Sequence, residues 1–190
     1  MRIYFEGPIF VMVFIVGVSL IWLRFSKEPI RFFFLSSFYL YICLLIRYTQ
    51  FPITLFTHVP FKQNMDEVIN IVPLINLNRT FINYILNIFM TIPFGFIFPL
   101  IRKISSKKMI FWSIFVPIII EGGQLLQFFL TSYSERIIDI NDILMNTLGI
   151  WIGYFLYHIL VFYVEKYIKM NNDVKKSSII SFITVDEQIR

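Results

Sequence analysis

Between Glu121 and Asn146 the chain reads EGGQLLQFFLTSYSERIIDINDILMN, and six residues there could do chemistry: Glu121, Gln124, Arg136, Asp139, Asp142 and Asn146. Glu121 and Asp142 could divide the work of general acid and general base on a bound substrate. The same oxygens, with that of Asn146, could ligate a hard cation. Together with Arg136 they could simply hydrogen-bond a polar ligand. All six sit in or beside apolar runs long enough to cross a bilayer. An isolated carboxylate at mid-membrane costs roughly 2.5–3.5 kcal/mol on insertion scales, so each needs a compensating partner or a role.

The elements that must position these residues follow from composition. Of the 190 residues, 57% are hydrophobic and 15% charged, and there are 23 Phe. A soluble domain of this length would carry about a quarter charged residues, so the chain reads as a membrane protein. The net charge of +5 comes from basic residues clustered in short loops, which makes it a topology signal and not a nucleic-acid footprint. The lone Cys43 lies in an apolar run and has no disulfide or metal-ligand partner by spacing. Neither a metal site nor a cofactor is expected.

Five spans are predicted in an all-α, polytopic transmembrane helical bundle. The first, Pro8 to Phe25, is long for the apolar region of a signal peptide and is followed by no small-x-small cleavage site, so it is expected to be retained. Phe32 to Ile46 is the second, flanked by Arg31 and Arg47. Phe81 to Ile101, Met109 to Leu130 and Ile137 to Val164 are the third to fifth, and the third and fourth are interrupted by Pro93 and Pro117. The chain divides into two N-terminal helices (1–49), an extracellular Pro-containing interfacial loop (50–79), a three-helix core (80–164) and a cytoplasmic basic and polar tail (165–190). His58 in the loop reads as a surface residue. Gly149 and Gly153 form a small-xxx-small pair suited to close helix packing.

With five spans, twelve of the 17 Lys and Arg fall on one face of the membrane and five on the other. The positive-inside rule then puts the N-terminus outside and the C-terminus in the cytoplasm. Glu121 lies thirteen residues beyond Lys108. That is about 20 Å along the fourth span, hence about 10 Å below the outer edge of a core about 30 Å thick. Gln124 follows three residues on. Asp139, Asp142 and Asn146 have the i, i+3, i+7 spacing of one helix face. Asn83 and Asn87 share a face in the outer half of the third span. The expectation is a pocket open to the outside and lined by Asn83, Asn87, Glu121, Gln124, Arg136, Asp139, Asp142 and Asn146. The competing reading is that these groups only tie helices together. Polar contacts of that kind average about 0.6 kcal/mol in membrane proteins, a weak reason to keep three carboxylates.

Pro93-Phe94-Gly95, Glu121-x-x-Gln124 and Arg136-x-x-Asp139-x-x-Asp142-x-x-x-Asn146-x-x-Gly149-x-x-x-Gly153-Tyr154 together resemble the VanZ-like family of small bacterial integral membrane proteins. The resemblance runs from about Asn70 to Leu160 and includes Ile71-Val72-Pro73 before the third span. The family pattern Asp-x-Asp-Asp appears here as Asp139-Ile140-Asn141-Asp142, one carboxylate short, and Pro117 stands where a small polar residue is common. The namesake is associated with reduced susceptibility to teicoplanin, a lipid-tailed glycopeptide antibiotic acting at the outer face of the membrane.

The resemblance implies a multi-pass protein of the cell membrane of a Gram-positive bacterium, affecting antibiotic resistance at the cell envelope. Its partners would be membrane lipid and a lipid-linked cell-wall precursor or the lipoglycopeptide itself. One alternative is a membrane-embedded hydrolase or transferase acting on a lipid-linked envelope substrate, with Glu121 and Asp142 as acid and base. Against it, no His, Cys or Ser nucleophile pairs with them by spacing. The chain also lacks a nucleophile elbow, P-loop or HExxH motif, and His158 falls near the opposite end. The other alternative is a cation or proton transporter, which the apolar inner halves of the spans and the lack of an inverted repeat disfavour.

Overall fold

The computed structural model describes residues 2–55, 63–73, 77–102, 104–170 and 182. Among these residues five helices are long and apolar enough to cross a membrane: α1 (Gly7–Phe25), α2 (Pro29–Gln50), α4 (Leu77–Ile101, spanning from Phe81), α5 (Ser106–Thr131) and α6 (Ile140–Met170). The short helix α3 (Met65–Val68) precedes α4. Helices suit the apolar runs because each satisfies its own backbone hydrogen bonds where no water can. The outward surface is correspondingly apolar, with Leu23, Phe89, Leu130 and Phe155 all exposed.

The segment before α4, expected as an interfacial loop, carries structure of its own. Strand β1 (Arg2–Ile3) pairs antiparallel with β2 (Ile53–Thr54), and β3 (Ile69–Asn70) pairs in parallel with β4 (Ile138–Asp139). The first ladder ties the segment to the N-terminus, and the second laces it to the α5–α6 turn. The Gln63 side chain accepts the Ser134 N–H at 2.8 Å, and Thr54 Oγ1 donates to Glu135 at 2.7 Å. His58 lies outside the described residues.

Two boundaries differ from the sequence reading. The second span runs 22 residues, from Pro29 to Gln50, because Pro suits the first helical position and the Arg residues at its ends do not break it. The fifth helix starts at Ile140 and continues to Met170, so Asp139 belongs to β4 and not to the helix face shared by Asp142 and Asn146. The physical reason is a cap. Asp139 Oδ1 accepts the Asn141 backbone N–H at 2.8 Å, the role of the residue just before a helix.

The tightest packing joins α4 and α6. A Cβ added to Gly149, Gly153 or Gly95 would collide with the backbone carbonyl of Ile88, Ile92 or Ile150, respectively. Thr91 Oγ1 bridges the same seam, donating to the Asn146 carbonyl at 2.8 Å. Helix α5 joins them through its proline. Pro117 has no N–H to bond the Ser113 carbonyl one turn earlier; that oxygen instead accepts Thr147 Oγ1 of α6 at 2.9 Å. Below this lies an apolar layer of Phe94, Met109, Ile150 and Tyr154, with Phe38 of α2, Phe98 and Trp112 packed against it.

Candidate functional site

Four helix ends meet at the end of the bundle that carries the α5–α6 turn. Pro52 and Glu135 are held there by Gln127 Nε2 donating to the Pro52 carbonyl at 3.3 Å and by Arg2 pairing with Glu135 at 3.1 Å. Between the helix ends lies a cavity of about 840 Å³. Asn83, Asn87, Glu121, Gln124, Arg136, Asp139, Asp142 and Asn146 all line it. They are graded by depth. Asn146 is 1% exposed, Glu121, Gln124 and Asp139 are buried, Asn87 and Asp142 are half-buried, and Asn83 and Arg136 are exposed at the mouth.

The carboxylates are not equivalent. Asp139 is committed to structure: besides the Asn141 N–H, its Oδ1 accepts Asn141 Nδ2 at 2.9 Å and Asn70 Nδ2 at 3.0 Å. In a capping box the residue three beyond the cap would reach back to the cap's own N–H. Here that residue is Asp142, yet the Asp139 N–H goes to Glu121 Oε2 of α5 at 3.3 Å. Glu121 therefore ties α5 to the start of α6, and Asp142 is left to face the cavity. Asp142 has Asn87 of α4 beside it and the positive end of the α6 dipole behind it.

Arg136 makes no ion pair with Glu121, Asp139 or Asp142 among the described residues. It donates instead to the Tyr48 carbonyl at the C-terminal end of α2, where helix carbonyls lack intrahelical partners. The simplest helix-tying reading, in which Arg136 neutralises a neighbouring carboxylate, is not how this chain is built. No group of three or more His, Cys, Asp or Glu among the described residues is close enough to hold a metal ion.

The deepest group is the most telling. Neither Nδ2 nor Oδ1 of Asn146 has a hydrogen-bond partner, and the Tyr84 hydroxyl, also in the wall and 4% exposed, has none either. Buried polar atoms without partners are uncommon and costly, about 1–3 kcal/mol each, unless a ligand or water meets them.

Several wall residues were not singled out in the sequence. Tyr48 and Thr49 bring α2 in as a fourth wall. Gln124 Nε2 donates to the Thr49 carbonyl at 3.2 Å, and Gln50 Nε2 to the Ile120 carbonyl at 3.0 Å. Tyr84 could have been found: it stands three before Asn87, on the same helix face. Nothing local marks Thr49 or Gln50, whose roles depend on α2 ending beside α5. Asn141, read only as a missing carboxylate, is fully buried and closes the cap.

No curated protein and no solved structure matches the chain. A family model described as VanZ/LLP1 does, over residues 38–162, which takes in the second half of α2 and every wall of the cavity. With its five helices fit to cross a membrane, the chain belongs to the VanZ/LLP1 family and is a VanZ-like membrane protein.

Proposed function

We propose that this chain is an envelope protein of a bacterial cell membrane that alters susceptibility to teicoplanin-type glycopeptides by holding a lipid-bearing molecule in the cavity between α2, α4, α5 and α6. The orientation that goes with this has the N-terminus outside, the C-terminus in the cytoplasm and the cavity facing out. The distribution of twelve Lys and Arg on one face against five on the other supports it. The single observation carrying the reading is the cavity's division into an unsatisfied polar floor at Asn146 and apolar walls from Leu86, Phe89 and Met90. That division suits a molecule with a polar head and a hydrocarbon tail, such as a lipid-linked wall precursor or the lipoglycopeptide. The test is expression in a susceptible Gram-positive host. The inhibitory concentration of teicoplanin should rise more than that of vancomycin, and Asn146→Leu should remove the difference. No change for either drug with wild-type protein in the membrane would sink the reading.

A second reading, turnover of a lipid-linked substrate with Glu121 and Asp142 as acid and base, is favoured by one observation: the two carboxylates come from facing helices into one cavity. Release of product from a defined lipid-linked substrate, lost in Glu121→Gln, is its measurement. A transporter is disfavoured by the apolar layer beneath the cavity, which places no charged side chain in an ion's way onward.

A further inference from the structure

We infer that the cavity selects a membrane amphiphile with a primary ammonium group in its head, seated between Glu121, Asp142 and Asn146. This rests on the reading that the cavity holds a lipid-bearing molecule, and it names the head that molecule carries.

The charge of the wall is lopsided. Of its four carboxylates, Asp139 is consumed by the α6 cap and Glu135 by Arg2 and Thr54. Glu121 spends one oxygen, Oε2, on the Asp139 N–H. Asp142 enters no ion pair among the described residues. Arg136 is the one cation among the described wall residues, and it stands at the exposed mouth, donating to Tyr48. The buried part of the cavity therefore offers acceptors in excess and lacks a cation. Glu121 Oε1, the Asp142 carboxylate and Asn146 Oδ1 are three acceptors from two helices, matching the three donors of an ammonium. An anionic head group would instead meet carboxyl oxygens with no cation in the buried part of the cavity.

The tail has a route. Tyr48 of α2 and Leu86 and Phe89 of α4 line the cavity and yet are 59%, 58% and 66% exposed. The wall thus reaches the lipid-facing surface between α2 and α4, so a chain could leave sideways into the bilayer while the head stays inside. A phosphate between head and tail would then lie near Arg136, whose remaining donors suit it.

The experiment is lipid retention by the full chain in detergent, read by native mass spectrometry. It uses phospholipids of identical acyl chains whose heads are ethanolamine, choline or glycerol. Ethanolamine lipid should be retained about tenfold over glycerol lipid, the size expected from charge-assisted hydrogen bonds. Choline lipid, which keeps the charge and loses the N–H donors, should fall between them. Asp142→Asn and Glu121→Gln should each bring ethanolamine down towards glycerol. Equal retention of all three heads by wild-type protein, or preference for glycerol, would overturn the inference without any variant having to fold. An ethanolamine preference unchanged in both variants would also overturn it, by placing the site elsewhere. The teicoplanin measurement is separate. Head-group selectivity without a drug effect removes the resistance reading alone, and a drug effect without ammonium selectivity removes this inference alone.

Discussion

Helix pairs α1–α2 and α4–α6 both use glycine to bring helices together, but what the glycine meets differs. Gly17 of α1 faces the ring of Tyr39 on α2, whose hydroxyl donates to the Val13 carbonyl at 2.9 Å. Gly149, Gly153 and Gly95 face backbone carbonyls across the α4–α6 seam. A ring can turn aside, whereas a carbonyl moves only if its helix moves. No residue of α1 is buried, while α6 buries Asn141, Asn146, Gly149, Ile150, Gly153, Tyr154 and Val161. The family match begins at residue 38 and leaves out α1. The rigid seam is also the one that carries the cavity floor, since Asn146 lies one turn before Gly149 and its carbonyl is held by Thr91. The first pair holds a peripheral helix in place; the second fixes where polar atoms stand.

The sharpest way to break this contrast is to put side chains on the glycines. Gly149→Val should cost about 3 kcal/mol or more, because overpacking against backbone forces α4 and α6 apart. The expected outcome is loss of monodisperse protein on size exclusion, or a large fall in melting temperature. Asp139→Ala should come next, at about 1–2 kcal/mol, through loss of the α6 cap. Since the cap also orients Asp142, the variant should lose the proposed teicoplanin effect even where folded protein is recovered by size exclusion. Thr91→Val removes one bridge of near-equal volume and should cost about 0.6–1.7 kcal/mol, visible as a lower melting temperature. Gly17→Ala and Tyr39→Phe should be the smallest, each within about 1 kcal/mol, with the proposed drug effect retained. A Gly17→Ala variant as damaged as Gly149→Val would erase the contrast between the two seams.

Much of the helical architecture was legible because its causes are local. Long apolar runs and basic residues between runs each act within a few residues, whereas Pro29 as the first residue of α2 was missed. The Gly149 and Gly153 pair was readable as a packing face, but Gly95 as their counterpart was not, since nothing in the sequence says which helix faces α6. Of the candidate wall, Asn83, Asn87, Glu121 and Gln124 could be given a height from helical rise. Asp139 was misassigned because periodicity cannot distinguish the first residues of a helix from the residue that caps it. Arg136 was open to pairing with a neighbouring acid, and the choice fell to the Tyr48 carbonyl, 88 residues away.

The sequence by itself determined a five-span helical membrane protein with costly polar groups near one end, because burying charge and backbone in lipid has a price set residue by residue. Only the tertiary structure decided how those groups divide. Asp139 goes to a cap, Glu121 to joining α5 with α6, Arg136 to the end of α2, and Asp142 and Asn146 are left facing a cavity. Hydrogen-bond partners are assigned in space, and each polar atom taken by a distant element is one that the local sequence cannot mark as spent.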